Sequence, residues 1–207
     1  MTSQPEERIR AEIVEVGRRL HERGYVASND GNISVRLDDN RVLTTPTGVS
    51  KGFMTPDMMV TTDMQGVKLT GDRKASSELL MHLAVYEHRP EIKAIVHAHP
   101  PAATGFAVAG IPLDRAVLAE VIVTLGSIPI AEYGTPSTSE LADAVRKYIS
   151  AHDQWCSDIC ATDVDWLVSS HSAGHRRRAG YLEVSGRHLQ GCPWAGAGSA
   201  PECAARP

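Results

Sequence analysis

The sequence predicts an α/β fold in which a largely antiparallel sheet is flanked by helices. Three observations carry this expectation. Helical and strand-like patterns alternate irregularly along residues 1–150. The strand candidates are short and joined by tight turns, as hairpins are. No Gly-x-Gly-x-x-Gly turn opens a βαβ unit, which argues against a doubly wound parallel sheet.

The elements follow in order. Ile9, Ile13, Val16 and Leu20 recur at helical spacing with charges between them, so residues 6–23 form an amphipathic helix that Gly24 stops. Asn29-Asp30-Gly31-Asn32 turns the chain into residues 33–37, which alternate like a half-buried strand. Asp38-Asp39-Asn40 then links that strand to 41–45 in a hairpin, and Thr45-Pro46-Thr47-Gly48 breaks into a loop. Residues 59–62 and 66–69 read as two further short strands. Ser76 and Ser77 stand ready to cap a helix over 78–86, and Arg89-Pro90 ends it. A strand over 92–99 is closed by Pro100-Pro101, and a short helix over 102–109 follows. Residues 128–131 form a last strand candidate. Ser137-Thr138-Ser139-Glu140 has capping-box spacing before a helix over 141–148.

Composition bounds the function. The chain has 207 residues, 42% hydrophobic and 22% charged, the balance of an ordinary globular domain. A domain of this length buries roughly 70% of its unfolded surface, so folding needs no metal or disulfide. A net charge of −4 argues against a nucleic-acid partner or a polybasic membrane anchor. The longest apolar stretch, 117–125, is interrupted by Glu120 and falls well short of the ~18 residues of a membrane span. The first residues lack the charged and apolar regions of a signal peptide. A cytoplasmic enzyme or binding domain is therefore expected.

The chain divides into two regions, 1–150 and 151–207. All four cysteines (156, 160, 192 and 203) and all three tryptophans (155, 166 and 194) fall in the second. That region has no Lys, Met or Phe but carries the triplet Arg176-Arg177-Arg178. Its cysteines show neither a disulfide framework nor zinc-ribbon spacing. So abrupt a change is what natural divergence or a shifted reading frame near 152–154 produces. Poor apolar periodicity predicts that the region is loosely packed, with few contacts to the sheet.

Three local patterns bear on chemistry. In Val96-His97-Ala98-His99, a strand would place both imidazoles on one face about 6–7 Å apart along the backbone, where they can converge on a metal or simply be ordinary histidines. Ser76-Ser77-Glu78 offers hydroxyls and free amides to a phosphate and a carboxylate to a proton or metal. A plain N-terminal cap is the alternative. Gly31-Asn32 and Thr47-Gly48 are turns whose backbone could donate to phosphate oxygens, or turns and nothing more.

Taken together, Gly-Asn-Ile-Ser-x-Arg (31–36), Thr-Pro-Thr-Gly (45–48), Ser-Ser-Glu (76–78), His-Ala-His (97–99) and Ile-Pro-x-Ala-x-Tyr-x-Thr (128–135) occur in the order seen in the class II aldolase/adducin family. Residues 7–150 closely resemble that family. The resemblance implies a three-layer α/β/α fold around a nine-stranded, mainly antiparallel sheet, and a four-fold homotetramer. It matches Gly31, Asn32, Thr47, Gly48, Ser76 and Ser77 to the substrate-phosphate loops, Glu78 to a catalytic acid/base that also ligates metal, and His97 and His99 to two of three zinc ligands. The implied activity is zinc-dependent, reversible cleavage of a small ketose phosphate, such as L-fuculose 1-phosphate, through a metal-stabilised enediolate. Decarboxylation of a sugar-acid phosphate, pentulose-phosphate 4-epimerisation and thiosugar-phosphate dehydration are alternatives within the family. An adducin-like non-catalytic domain, or an inactive enzyme, is the alternative outside catalysis.

Two departures stand out. The family's third histidine lies in an Asn-His-Gly strand where this chain reads Asp158-Ile159-Cys160. The nearest histidines are His152, His171 and His175. The tyrosine that protonates the leaving aldehyde in the aldolase aligns near Leu118, with Glu120 close by.

Overall fold

The computed structural model describes residues 4–113, 127–151, 156–159 and 163–169. Helix α1 (Gln4–Glu22) precedes strands β1 (Asn32–Arg36) and β2 (Val42–Thr44). Two 3-10 turns, Lys51–Phe53 and Pro56–Met58, lead to β3 (Val60–Thr62) and β4 (Lys68–Thr70). Then come α2 (Leu79–His88), β5 (Ala94–Ala98), α3 (Pro101–Val108), β6 (Ile130–Ala131) and α4 (Ser139–Ile149). Strands β7 (Cys156–Ile159) and β8 (Asp163–Ser169) end the described chain.

The described strands form one eight-stranded sheet, ordered β4-β3-β2-β1-β5-β8-β7-β6. Every pairing is antiparallel except that of β6 with β7. The sheet is the middle of three layers. On one face, Ile13 of α1 packs with Ile33, Leu43, Met54 and Met59. The buried Arg10 fixes α1 there, taking the Glu6 carboxylate at 2.8 Å and the carbonyls of Pro56 and Met59 at 3.3 and 3.2 Å. On the other face, α2 and α4 bury Met81, Val85, Leu141, Val145 and Ile149 against Val42 and Ile95.

Most expected elements form, with boundaries moved by a residue or two. Three differences affect the site or the sheet. Glu78, not a serine, occupies the N-cap of α2, and Ser76 Oγ instead accepts from the Glu78 N–H at 3.3 Å. At α4, Thr138 holds the N-cap without a side-chain capping bond, its hydroxyl donating instead to the Thr135 carbonyl, and Glu140 takes the amide and hydroxyl of Thr135 rather than closing a capping box. β5 ends at Ala98, so His99 lies just beyond the strand.

The count of nine strands implied by the resemblance becomes eight among the described residues. The expectation that the chain beyond 153 makes few contacts with the sheet fails for two stretches. β8 pairs along β5 from Ala94↔Ser169 to Ala98↔Asp165, and β7 pairs with β8. Without β8, β5 would present an open row of backbone donors and acceptors, and Val164, Trp166, Leu167 and Val168 are residue types that suit a ladder.

Candidate active site

The site grows from the junction of β1, β5 and α2. The antiparallel register sets Asn32 opposite His97. Strand period then puts Asn32 and Ser34 on the sheet face that α2 covers. Asn32 and Ser34 are buried there, and His97 is wholly buried. Gly31 makes the approach of its turn possible. Its φ of +69° lies in the left-handed region, and a Cβ would stand 2.6 Å from the His97 carbonyl oxygen.

Four polar side chains meet at this point. Asn32 Nδ2 donates to Glu78 Oε2 at 2.7 Å, and His97 Nδ1 lies 3.0 Å from the same oxygen. A carboxylate only accepts, so the pairing favours the His97 tautomer protonated at Nδ1 and leaves Nε2 with its lone pair. That Nε2 faces His99 Nε2 at 3.1 Å, the rings tilted by 35°. Burial alone would raise the Glu78 carboxyl. The hydrogen bond from His97, with the electrostatic pull of the His97, His82 and His99 imidazoles, outweighs burial and holds it at about 2, so it is ionised at neutral pH.

Among the described residues no three His, Cys, Asp or Glu side chains are grouped as metal ligands, but two of the expected ligands, His97 and His99, stand together. Two nitrogens bound at ~2.0–2.1 Å with tetrahedral geometry lie about 3.3 Å apart, close to the 3.1 Å seen between His97 and His99. Glu78 Oε2 stands at the other nitrogen of His97, where a carboxylate orients a ligand and raises its basicity. His152, His171 and His175, the candidates for a third ligand, lie outside the described residues, as do Leu118 and Glu120.

A cleft of about 290 Å³ opens beside this cluster. Gly31, Asn32, Thr47, Gly48, Ser76, Ser77 and Glu78 all line it, and so does His99, while His97 sits behind the wall. A wider cleft elsewhere, beside Glu7, Arg10 and Asp57, contains none of these residues.

Sequence reasoning missed a second group. His82 of α2 is completely buried, and its Nδ1 pairs with Ser34 Oγ at 2.6 Å. Ser34 Oγ also meets the Tyr86 hydroxyl at 2.9 Å, and the Arg36 guanidinium lies over the Tyr86 ring at 4.9 Å. Burial, reinforced by the electrostatic influence of His97, pushes the His82 imidazole well below its ordinary value, so it is neutral. Burial likewise raises the Tyr86 phenol. The i, i+4 pair His82 and Tyr86 is the one signal that places both over β1. Lys51, which also lines the cleft, was missed as well, and nothing in its local sequence marks it as buried.

The family model for the class II aldolase and adducin N-terminal domain matches residues 11–159. The chain belongs to the class II aldolase and adducin family. Family members it resembles include a 3-oxo-tetronate 4-phosphate decarboxylase of Pectobacterium atrosepticum, 33% identical over 71% of this chain and 69% of the relative. A protein of the same name from Haemophilus influenzae is 53% identical over 87 residues, and that match spans 42% of this chain and only 41% of the relative. Among solved structures, the L-fuculose-1-phosphate aldolase of Thermus thermophilus superposes with a TM-score of 0.74 at 26% identity, covering 94% of this chain and 99% of the other. The class II aldolase fold is thus present, and no described helix is long and apolar enough to cross a membrane.

Proposed function

We propose that this protein is a metal-dependent carbon–carbon lyase acting on a small phosphorylated keto sugar acid, with 3-oxo-tetronate 4-phosphate as the preferred substrate. One observation carries the reading. A single cleft is lined both by the Gly31-Asn32 and Thr47-Gly48 turns with Ser76 and Ser77, whose amides and hydroxyls suit a phosphate, and by Glu78 and His99. The names of the Pectobacterium and Haemophilus relatives favour decarboxylation over aldol cleavage.

In this reading the neutral donors of Asn32, Thr47, Gly48, Ser76 and Ser77 hold the phosphate and fix the reacting carbons near Glu78. A divalent metal, zinc by family resemblance, would be held by His97 and His99 and would supply Lewis-acid stabilisation of the negative charge that develops on the carbonyl oxygen. The bond between the carboxylate carbon and its neighbour breaks, and its electron pair enters the adjacent carbonyl to give an enediolate as carbon dioxide leaves. Glu78, an acceptor at rest, takes a proton from water and delivers it to that carbon. Asn32 holds the carboxylate in place throughout.

Retro-aldol cleavage of L-fuculose 1-phosphate is the second reading, favoured by the Thermus structure. There Glu78 accepts its proton from the hydroxyl that becomes the aldehyde. Both readings take a cytoplasmic homotetramer as the working form, which size-exclusion chromatography checks. They also take residues 151–207 as a divergent or frame-shifted segment, which translating the encoding DNA around codons 150–160 in all three frames checks.

The deciding experiment loads the protein with Zn²⁺ and follows carbon dioxide release from 3-oxo-tetronate 4-phosphate and aldehyde release from L-fuculose 1-phosphate. Carbon dioxide from the first substrate, lost in His97→Ala together with about one zinc per subunit, is expected. Unchanged zinc stoichiometry in that variant, or equal turnover of the dephosphorylated acid, refutes the proposal.

A further inference from the structure

The cleft described above contains an unexpected cation. Lys51 begins the 3-10 turn that α1 covers, and its side chain is buried although lysine is almost never so placed without compensation. Its Nζ donates to the Asn29 carbonyl at 3.0 Å and to the Val49 carbonyl at 2.7 Å. Asn29 precedes the Gly31-Asn32 turn and Val49 follows the Thr47-Gly48 turn. The ammonium therefore ties together the two backbone turns that wall the cleft. An ammonium has three N–H donors, and these bonds use two.

Among the described residues lining the cleft, Lys51 is the one Lys or Arg, and the charged groups near it are Asp30 and Glu78. The other phosphate donors of the cleft are neutral amides and hydroxyls. A phosphate monoester is a dianion at neutral pH, and removing it from water without a counter-charge is costly. Resting on the phosphate reading proposed above, we infer that Lys51 is the cation of the phosphate subsite: its third N–H meets a phosphate oxygen while the other two set the spacing of the turns. This role distinguishes anionic esters from neutral sugars.

The environment makes the idea testable by pH. Burial lowers the Lys51 ammonium to about 8, opposed by the charges of Asp30 and Glu78. From α1, the His21 ring stands against Gly52 and edge-on to Phe53 at 5.3 Å. Above pH 8 the cation is progressively lost, whereas inorganic phosphate is already a dianion by pH 7.5.

The test measures the dissociation constant of inorganic phosphate for the full chain by calorimetry between pH 7.5 and 9.5, with circular dichroism at each pH to verify the fold. Wild-type affinity should fall about tenfold across that range. Lys51→Met should bind phosphate at least tenfold more weakly at pH 7.5, show no further fall with pH, and bind dihydroxyacetone as the wild type does. Equal phosphate affinity in Lys51→Met and wild type overturns the inference, and so does a flat wild-type profile, which decides the matter even where the variant does not fold. No phosphate binding by the wild type at any pH overturns instead the phosphate reading of the cleft.

Discussion

Replacing Gly31 by alanine sets two separable costs against the fold. The first is conformational: φ at Gly31 is +69°, and a left-handed conformation costs a residue with a Cβ roughly 1–2 kcal/mol. The second is steric, because the new Cβ would stand 2.6 Å from the His97 carbonyl oxygen and 2.7 Å from Val26 Cγ1. That oxygen belongs to backbone at the end of β5 and cannot swing aside, so about 1–3 kcal/mol of overpacking adds to the first term. Gly48 is the control, with φ of +70° and nothing within 4 Å of its would-be Cβ. Gly48→Ala should therefore lose about 1–2 kcal/mol and Gly31→Ala about 2–5 kcal/mol. Urea denaturation monitored by circular dichroism measures both. Because the clash displaces the carbonyl of a candidate metal ligand, Gly31→Ala should also weaken zinc uptake, which Gly48→Ala should spare. Equal stability of the two variants would refute the claim that the Gly31 turn is pressed against β5.

Further outcomes follow from the same geometry. Glu78 is held at about 2 from an ordinary 4.5, so its ionised form stabilises the native state above pH 4.5 and that contribution, at most about 3 kcal/mol, is lost as pH falls toward 2. An acid-unfolding series in which Glu78→Gln keeps the wild-type slope between those limits would contradict this. Ser34→Ala removes the hydroxyl shared by His82 and Tyr86 and should cost about 1–3 kcal/mol by leaving buried polar groups short of a partner. A loss within 0.5 kcal/mol by urea denaturation counts against a buried network. Ser76→Asp brings a negative charge to the cleft and should raise KM for a phosphorylated substrate at least tenfold while leaving zinc binding intact. Equal loss toward the dephosphorylated analogue would show that the serines do not read phosphate.

Features encoded within a few neighbouring residues are legible along the chain. Ile9, Ile13, Val16 and Leu20 fix α1 because helical period needs nothing from the rest of the chain. The Gly31 and Gly48 turns, and the spacing of His97 and His99, are local in the same way, and the order of the motifs revealed the family before any contact was known. Other features arise only from packing between distant segments. Ser34 reads as the solvent side of a half-buried strand and Asn32 as part of a turn, but α2 covers that face, so Asn32 and Ser34 become buried partners of Glu78 and His82. Ser34 and His82 are 48 residues apart, and no local period carries that pairing. The same holds for β8, whose place beside β5 depends on a row of backbone hydrogen bonds that any sequence of suitable strand residues can satisfy. Lys51 is the clearest case. Its burial is set by α1 on one side and by the carbonyls of Asn29 and Val49 on the other, and a side chain's dielectric surroundings are a property of the packed molecule rather than of the residues next to it in the chain.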